Sequence, residues 1–272
     1  MNVQLFRERD EGWELPILRA AAIPAGFAHG FSTRAGGVSA PPFDTLNLGG
    51  KWGDDEVAVA TNRRRFLRAA GVGAPCYIAR QVHGRAVARV RAGDDPGALA
   101  RLEADALVTD APGVTLGVFV ADCIPALIAD PRTGAVAAIH AGWRGTVAGV
   151  LPAAVAALGH EFGARPVDLR VALGPAIGPC CFEVGADVVE AVRAALGDVA
   201  SDAIRPSPRG TPDKSHVDLK VTNQLLLERA GVDPGAIESG PECTHCDRGR
   251  FFSYRRDGGA TGQLMGVIAR IP

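Results

Sequence analysis

Residues 117–146, GVFVADCIPALIADPRTGAVAAIHAGWRGT, constrain the fold more than any other part of this chain. Two apolar runs flank Asp130-Pro131-Arg132-Thr133-Gly134. Proline fixes φ and glycine permits positive φ, so this pentapeptide is turn chemistry and the runs are the arms of a β-hairpin. A turn centred near Arg132 sets Cys123 opposite, or diagonal to, His140. Paired residues on a hairpin hold their Cβ atoms about 4.5–5.5 Å apart. The hairpin alone therefore brings a thiol and an imidazole together, provided the register puts both on one face. Pro125 cannot donate to a ladder, which predicts an edge or bulge at that point.

Further apolar runs read as strands: Cys76–Ile78 continuing to His83, Ala106–Val108, Val114–Val120, Leu169–Leu173 and Leu264–Ile268. Helical patterns cover Asp54–Ala70, Val147–Leu158, Ala186–Leu196 and Asp218–Ala230, the last opening on a capping Asp and closing before Gly231. Strands mixed with helices, without strict alternation, predict an α/β (α+β) fold with mixed β-sheets. No linker-like segment or repeat divides residues 1–272, so one domain is expected.

The 29 basic and 30 acidic residues nearly cancel, giving no electrostatic ground for a nucleic-acid or membrane partner. The cluster Arg63-Arg64-Arg65 reads as a solvated helix face. The first residues lack a secretory apolar core, and no run approaches the roughly 18 apolar residues of a membrane helix. A cytoplasmic protein is expected. Disulfides are rare there, so the six cysteines suggest metal binding, catalysis or buried thiols.

A Cys–His pair admits several readings. With a third nitrogen or sulfur ligand it makes an open zinc site. With an orienting acid it makes an activated cysteine nucleophile, as in a metal-free hydrolase. It is also compatible with a buried thiol beside an unrelated histidine. His83, at a predicted strand end before Gly84, is a candidate third ligand that the hairpin itself does not supply. Asp122 neighbours Cys123 and should point to the opposite face. Gly142-Trp143-Arg144-Gly145-Thr146 precedes a helical run and reads either as a phosphate-binding helix start with Arg144, or as a simple tight connection. Cys243-x-x-Cys246 with Cys180-Cys181 has the ingredients of a structural zinc knot, although free thiols are the default for so short a signal.

HGFSTRAGGVS (29–39), LNLG (46–49), RQVHG (80–84), ADALVTD (104–110), ADCIPALIADP (121–131), HAGWRGT (140–146), LGPAIGPCCFEVG (173–185) and FFSYRRDGGATG (251–262) occur here in one order. That order resembles the YfiH-like family from about residue 28 to the C-terminus. Its members have been labelled laccase-domain or multicopper polyphenol oxidase proteins, and re-described as purine nucleoside phosphorylases and adenosine deaminases. The resemblance implies a single domain of mixed sheets sandwiched by helices. It also implies catalytic zinc on His83, Cys123 and His140, and substrate contacts from Arg34 and Asn47. The implied chemistry is phosphorolysis of adenosine, inosine and methylthioadenosine and hydrolytic deamination of adenosine, with nucleoside and phosphate as small-molecule partners. A role in cell-wall precursor quality control is a further implication. His245 stands where relatives carry Tyr. Six histidines are too few for a multicopper centre, though copper could occupy a His2Cys site as a polyphenol oxidase would need.

Overall fold

Apolar runs with no polar alternation belong in strands covered on both faces, and the hairpin arms are of that kind. The computed structural model describes residues 1–207, 210 and 213–272. Its strands, in chain order, are β1 (Asn2–Glu8), β2 (Trp13–Arg19), β3 (Phe27–Ser32), β4 (Cys76–Tyr77), β5 (Val87–Arg89), β6 (Ala106–Thr109), β7 (Thr115–Val120) and β8 (Ile124–Ala129). They continue with β9 (Val136–Ala141), β10 (Arg170–Leu173), β11 (Glu183–Val184), β12 (Ile204–Pro206), β13 (Ser215–Val217), β14 (Ile237–Ser239) and β15 (Leu264–Arg270). The helices are α1 (Glu56–Ala70), α2 (Pro96–Leu99), α3 (Trp143–Val147), α4 (Val150–Phe162), α5 (Ala186–Leu196), α6 (Leu219–Arg229) and α7 (Tyr254–Asp257).

Two six-stranded sheets carry the domain, ordered β1-β2-β3-β15-β7-β4 and β14-β10-β8-β9-β6-β5. Both are mixed: β4 runs parallel to β7, β5 to β6 and β10 to β14, while the other pairs are antiparallel. A small third sheet, β11-β13-β12, stands apart. Leu116, Val118 and Ile268 of the first sheet meet Leu107, Leu127 and Ala138 of the second in one buried core. The far face of the second sheet (Ile124, Ile128, Ile139) packs on α4, α5 and α6 through Leu151, Val192 and Leu227. The far face of the first (Ile17, Val267) packs on Phe66 and Ala70 of α1. The layers are helix, sheet, sheet, helix, as expected. Every residue of β8 and β9 is buried, which explains their uniform apolarity.

Local chemistry accounts for most element ends. Asp218 accepts the amide hydrogens of Lys220 and Val221 at the start of α6. The helix expected over Val147–Leu158 is two helices, because Gly149 takes φ +84° between α3 and α4. Pro125 lies near the start of β8, inside the sheet and not at its edge, where it needs no amide hydrogen. The N-terminal meander β1–β2–β3 was not among the expected strands. Arg63 departs from the solvated face of its cluster: it is half-buried, donates to the Leu48 carbonyl at 2.7 Å and stacks over Phe119.

Candidate metal centre

The register of the hairpin sets Pro125 against His140 and Ile124 against Ala141. Cys123, one residue before β8, therefore falls across from Gly142 and diagonal to His140, on the same face. His83, Cys123 and His140 offer ligand atoms that all lie within 4.8 Å of one another. The rings of His83 and His140 meet edge to face, with centroids 4.8 Å apart. Gly142 is required by this crowding, since a Cβ there would stand 2.6 Å from His83 Nδ1 and 3.0 Å from Cys123 Sγ.

His83 reaches the site from a loop, not from a strand end. β4 stops at Tyr77, and His83 has φ +60°. The reason is Asp105, one residue before β6 and fully buried. Its carboxylate accepts the amide hydrogens of Val82 (3.2 Å), His83 (2.9 Å) and Gly84 (2.7 Å), so these groups do not pair with a neighbouring strand. The same carboxylate lies 2.8 Å from His140 Nδ1, leaving Nε2 to face Cys123. The His140 amide also donates to the Asp105 carbonyl at 2.7 Å. One acid thus shapes the His83 loop and orients His140. The sequence reading missed it. The signal available was an Asp within the apolar run of ADALVTD, where an acid must find donors.

The electrostatics suit a soft or borderline cation. Burial raises the Cys123 thiol, but the adjoining His140 charge, with hydrogen bonds from His140 and His83, outweighs it and brings the thiol down to about 6. Burial likewise lowers His140, and the Cys123 thiolate and Asp105 outweigh it, raising the imidazole to about 9. Burial also raises the Asp105 carboxyl, yet the His140 ring and the loop amides hold it below the ordinary carboxylate range. A thiolate, a carboxylate-oriented imidazole and a second imidazole make the donor set of an open His2Cys site, with a bracing carboxylate behind it. The cradle left by Gly142 gives these donors room to converge.

This cluster opens into a cleft of about 1210 Å³. Lys51, Arg63, Arg144, Lys214 and Arg255 line it against three acids, Asp122, Glu183 and Asp187. Trp52 and Tyr254 form a stacked pair on its wall, with centroids 6.1 Å apart. Exposed Arg144 lines the cleft. Arg34 and Asn47 do not line it. The Arg34 guanidinium donates to the Asp44 carbonyl (2.7 Å) and carboxylate (3.1 Å) and lies over Phe252. Asn47 is buried and saturated: its amide donates to Gly49 and Asp54, and its oxygen accepts from Gly49 and Gln263. Asp122 is engaged too, accepting from Thr244 Oγ1 at 2.6 Å and from the Arg255 amide at 2.7 Å. The helix following Gly142 is only the five-residue α3, without a side-chain cap. His160 is exposed.

No helix among the described residues is long and apolar enough to cross a membrane. A family model described as multi-copper polyphenol oxidoreductase laccase matches residues 28–271. Purine nucleoside phosphorylase YlmD of Geobacillus stearothermophilus is 37% identical over 273 residues, spanning 98% of this chain and 97% of that protein. The purine nucleoside phosphorylase of Deinococcus radiodurans is 43% identical, spanning 93% of this chain and 92% of its own length. The crystal structure of YlmD from Geobacillus stearothermophilus superposes with a TM-score of 0.85 at 36% identity, covering 98% of this chain and 99% of that one. The chain belongs to the YfiH-like family, to which that laccase family model corresponds.

Proposed function

We propose that this protein is a zinc-dependent purine nucleoside phosphorylase acting on adenosine, inosine or methylthioadenosine, with His83, Cys123 and His140 as the metal ligands and catalytic centre. The observation that carries the reading is the His2Cys cluster facing a cleft whose lining holds more cations than acids. The similarity to purine nucleoside phosphorylases supports the phosphorylase part of this reading. In such a reaction an orthophosphate oxygen bonds to the anomeric carbon, the N-glycosidic bond breaks, and the purine leaves with the electron pair and takes up a proton. Exposed Arg144 is the residue assigned to phosphate, since a guanidinium can hold an oxyanion bidentately. Trp52 and Tyr254 offer an aromatic surface to the base, a contact worth about 1–3 kcal/mol per base in stacking sites. Arg34 and Asn47 act at a distance, by shaping the segment that holds them. Zinc, when bound, supplies Lewis acidity. Copper at the same three ligands is the competing occupant.

Deamination of adenosine uses the same open site, and the acids beside the ligands bear on it. Asp105 and Asp122 both have their carboxylates occupied by donors, so neither is free to shuttle a proton. This favours phosphorolysis. A metal-free hydrolase reading draws on the Cys123–His140–Asp105 alignment, which has the order of nucleophile, base and orienting acid. The position of His83 against both partners favours a metal instead.

Incubation of purified protein with adenosine and phosphate, followed by mass analysis, tests these readings together. Adenine and ribose-1-phosphate are expected. Inosine in their place would make the enzyme a deaminase, and turnover by a metal-stripped protein would establish the thiol nucleophile. Equal turnover by Cys123→Ala would overturn the assignment of the site.

A further inference from the structure

A second group of potential ligands lies outside the His2Cys cluster. The segment after β10 and the segment after β14 run side by side, joined by a bridge between Ala176 and Cys243 and by the Thr244 amide donating to the Ala176 carbonyl at 3.0 Å. This contact gathers the sulfurs of Cys180, Cys181, Cys243 and Cys246 within 4.8 Å of one another. Cys246 Sγ stands 3.3 Å from Cys181 Sγ and 3.5 Å from Cys180 Sγ. These separations exceed the roughly 2.05 Å of a disulfide, and all four cysteines are free. A tetrahedral zinc with Zn–S bonds of about 2.3 Å sets its sulfurs about 3.8 Å apart. An iron–sulfur cluster would spread its four thiolates over several irons. The spacing here suits one ion.

The surroundings are built for a negatively charged group. Cys243 Sγ accepts the Gly178 amide hydrogen at 3.2 Å. A Cβ on Gly178 would lie 3.2 Å from Cys243 Cβ and 3.3 Å from Cys180 Sγ, so the close approach of the loop calls for glycine. Buried Lys220 holds the carbonyls of Gly240 (2.6 Å) and Glu242 (2.9 Å), just before Cys243. Arg256 donates to the Thr244 carbonyl at 2.8 Å, inside the Cys-x-x-Cys turn, and Arg255 reaches the Cys181 carbonyl at 3.5 Å. Zinc with four thiolates carries a net charge of −2, and these three cations offset it.

We propose that Cys180, Cys181, Cys243 and Cys246 form a closed structural zinc site that staples the two segments together. The consequence is local and definite: Ile177, Phe182 and Glu183 of the first segment, and Tyr254 and Arg255 of the second, are cleft-lining residues. The site fixes one wall of the cleft without touching what binds in it.

The test uses the full chain carrying Cys123→Ser, so that the His2Cys site contributes no high-affinity metal and its own fate does not enter. After dialysis against a weak chelator, metal analysis should find about one zinc per chain, and cobalt exchanged into it should show the intense thiolate charge-transfer bands of a tetrathiolate site. Titration with an organomercurial should release that zinc as the thiols react. Adding Cys180→Ser and Cys246→Ser should abolish the bound zinc. Should that variant fail to fold, the cobalt spectrum and mercurial release in the Cys123→Ser protein still decide. A protein without zinc, with these cysteines recovered as free thiols or as a Cys181–Cys246 disulfide, would overturn the proposal, as would an iron chromophore.

Discussion

The carboxylate of Asp105 stands 2.8 Å from Nδ1 of His140, and neither group touches solvent appreciably. Asp105→Asn keeps the volume but turns one acceptor into a donor facing the amides of the His83 loop. Each buried donor left unsatisfied costs about 1–3 kcal/mol, and losing a bracing carboxylate lowers metal affinity about 10–100-fold. Urea unfolding and a competitive zinc titration should show both losses together.

Proton release reports on the ligands directly. With the thiol at about 6 and the imidazole at about 9, the metal-free pair between those values is thiolate and imidazolium. A metal needs the imidazole neutral, so its binding at pH 7.5 should expel about one proton, from His140 Nε2. Below about 6 the thiol is protonated as well, and the count rises towards two. Apparent affinity should weaken about tenfold per pH unit from 9 down to 6, and more steeply below. Calorimetry in buffers of different ionisation enthalpy, with the Cys123→Ser signal subtracted, measures this.

Gly142→Ala separates sterics from ligand chemistry. Gly142 has φ −74°, so alanine brings no backbone strain, only a methyl against His83 Nδ1 and Cys123 Sγ. All three ligands remain, yet zinc affinity should fall at least about tenfold, because a ligand shell tolerates little displacement. Circular dichroism should be unchanged. Undiminished zinc content would show that the ligands relax around the methyl.

Three polar residues should divide by role. Asn47→Ala removes a side chain with four hydrogen bonds and should lower stability, with KM little changed. Arg34→Ala should behave likewise. Arg144→Ala should leave stability alone and raise KM for phosphate about tenfold or more, as loss of a charge-assisted contact does. Thermal unfolding beside steady-state kinetics makes the division visible.

Much of this was legible in the sequence because local chemistry decides it. Asp130–Gly134 marks the hairpin, so Cys123 and His140 could be brought together from the residues as opposite or diagonal neighbours; the register makes them diagonal, with Pro125 against His140. Mixed β-sheets followed from apolar runs mixed with helical patterns, while their sandwiching by helices was implied by the family resemblance. The rest depends on contacts remote in sequence. Asp105 captures the His83 loop from another strand, and Asp122 is turned by Thr244 and Arg255. Arg34 and Asn47, implied as substrate contacts by the family resemblance, lie away from the cleft because partners remote in sequence hold them. The cysteine quartet assembles only when the segments after β10 and β14 meet. The β1–β3 meander escaped because its outer strand is largely exposed and carries little pattern.

The place of β15 gives the architecture a history as well as a shape. It comes last among the described strands, yet it lies between β3 and β7 in the middle of the first sheet. On the ribosome, where the chain emerges from its N-terminus, the hairpin can form early and pair within itself. The first sheet cannot: β3 and β7 present open edges to each other until residues 264–270 arrive, and open edges invite wrong partners. His83, Cys123 and His140 are therefore made early, but the sheet beside them closes only once residues 264–270 have been made and β15 fills the seam.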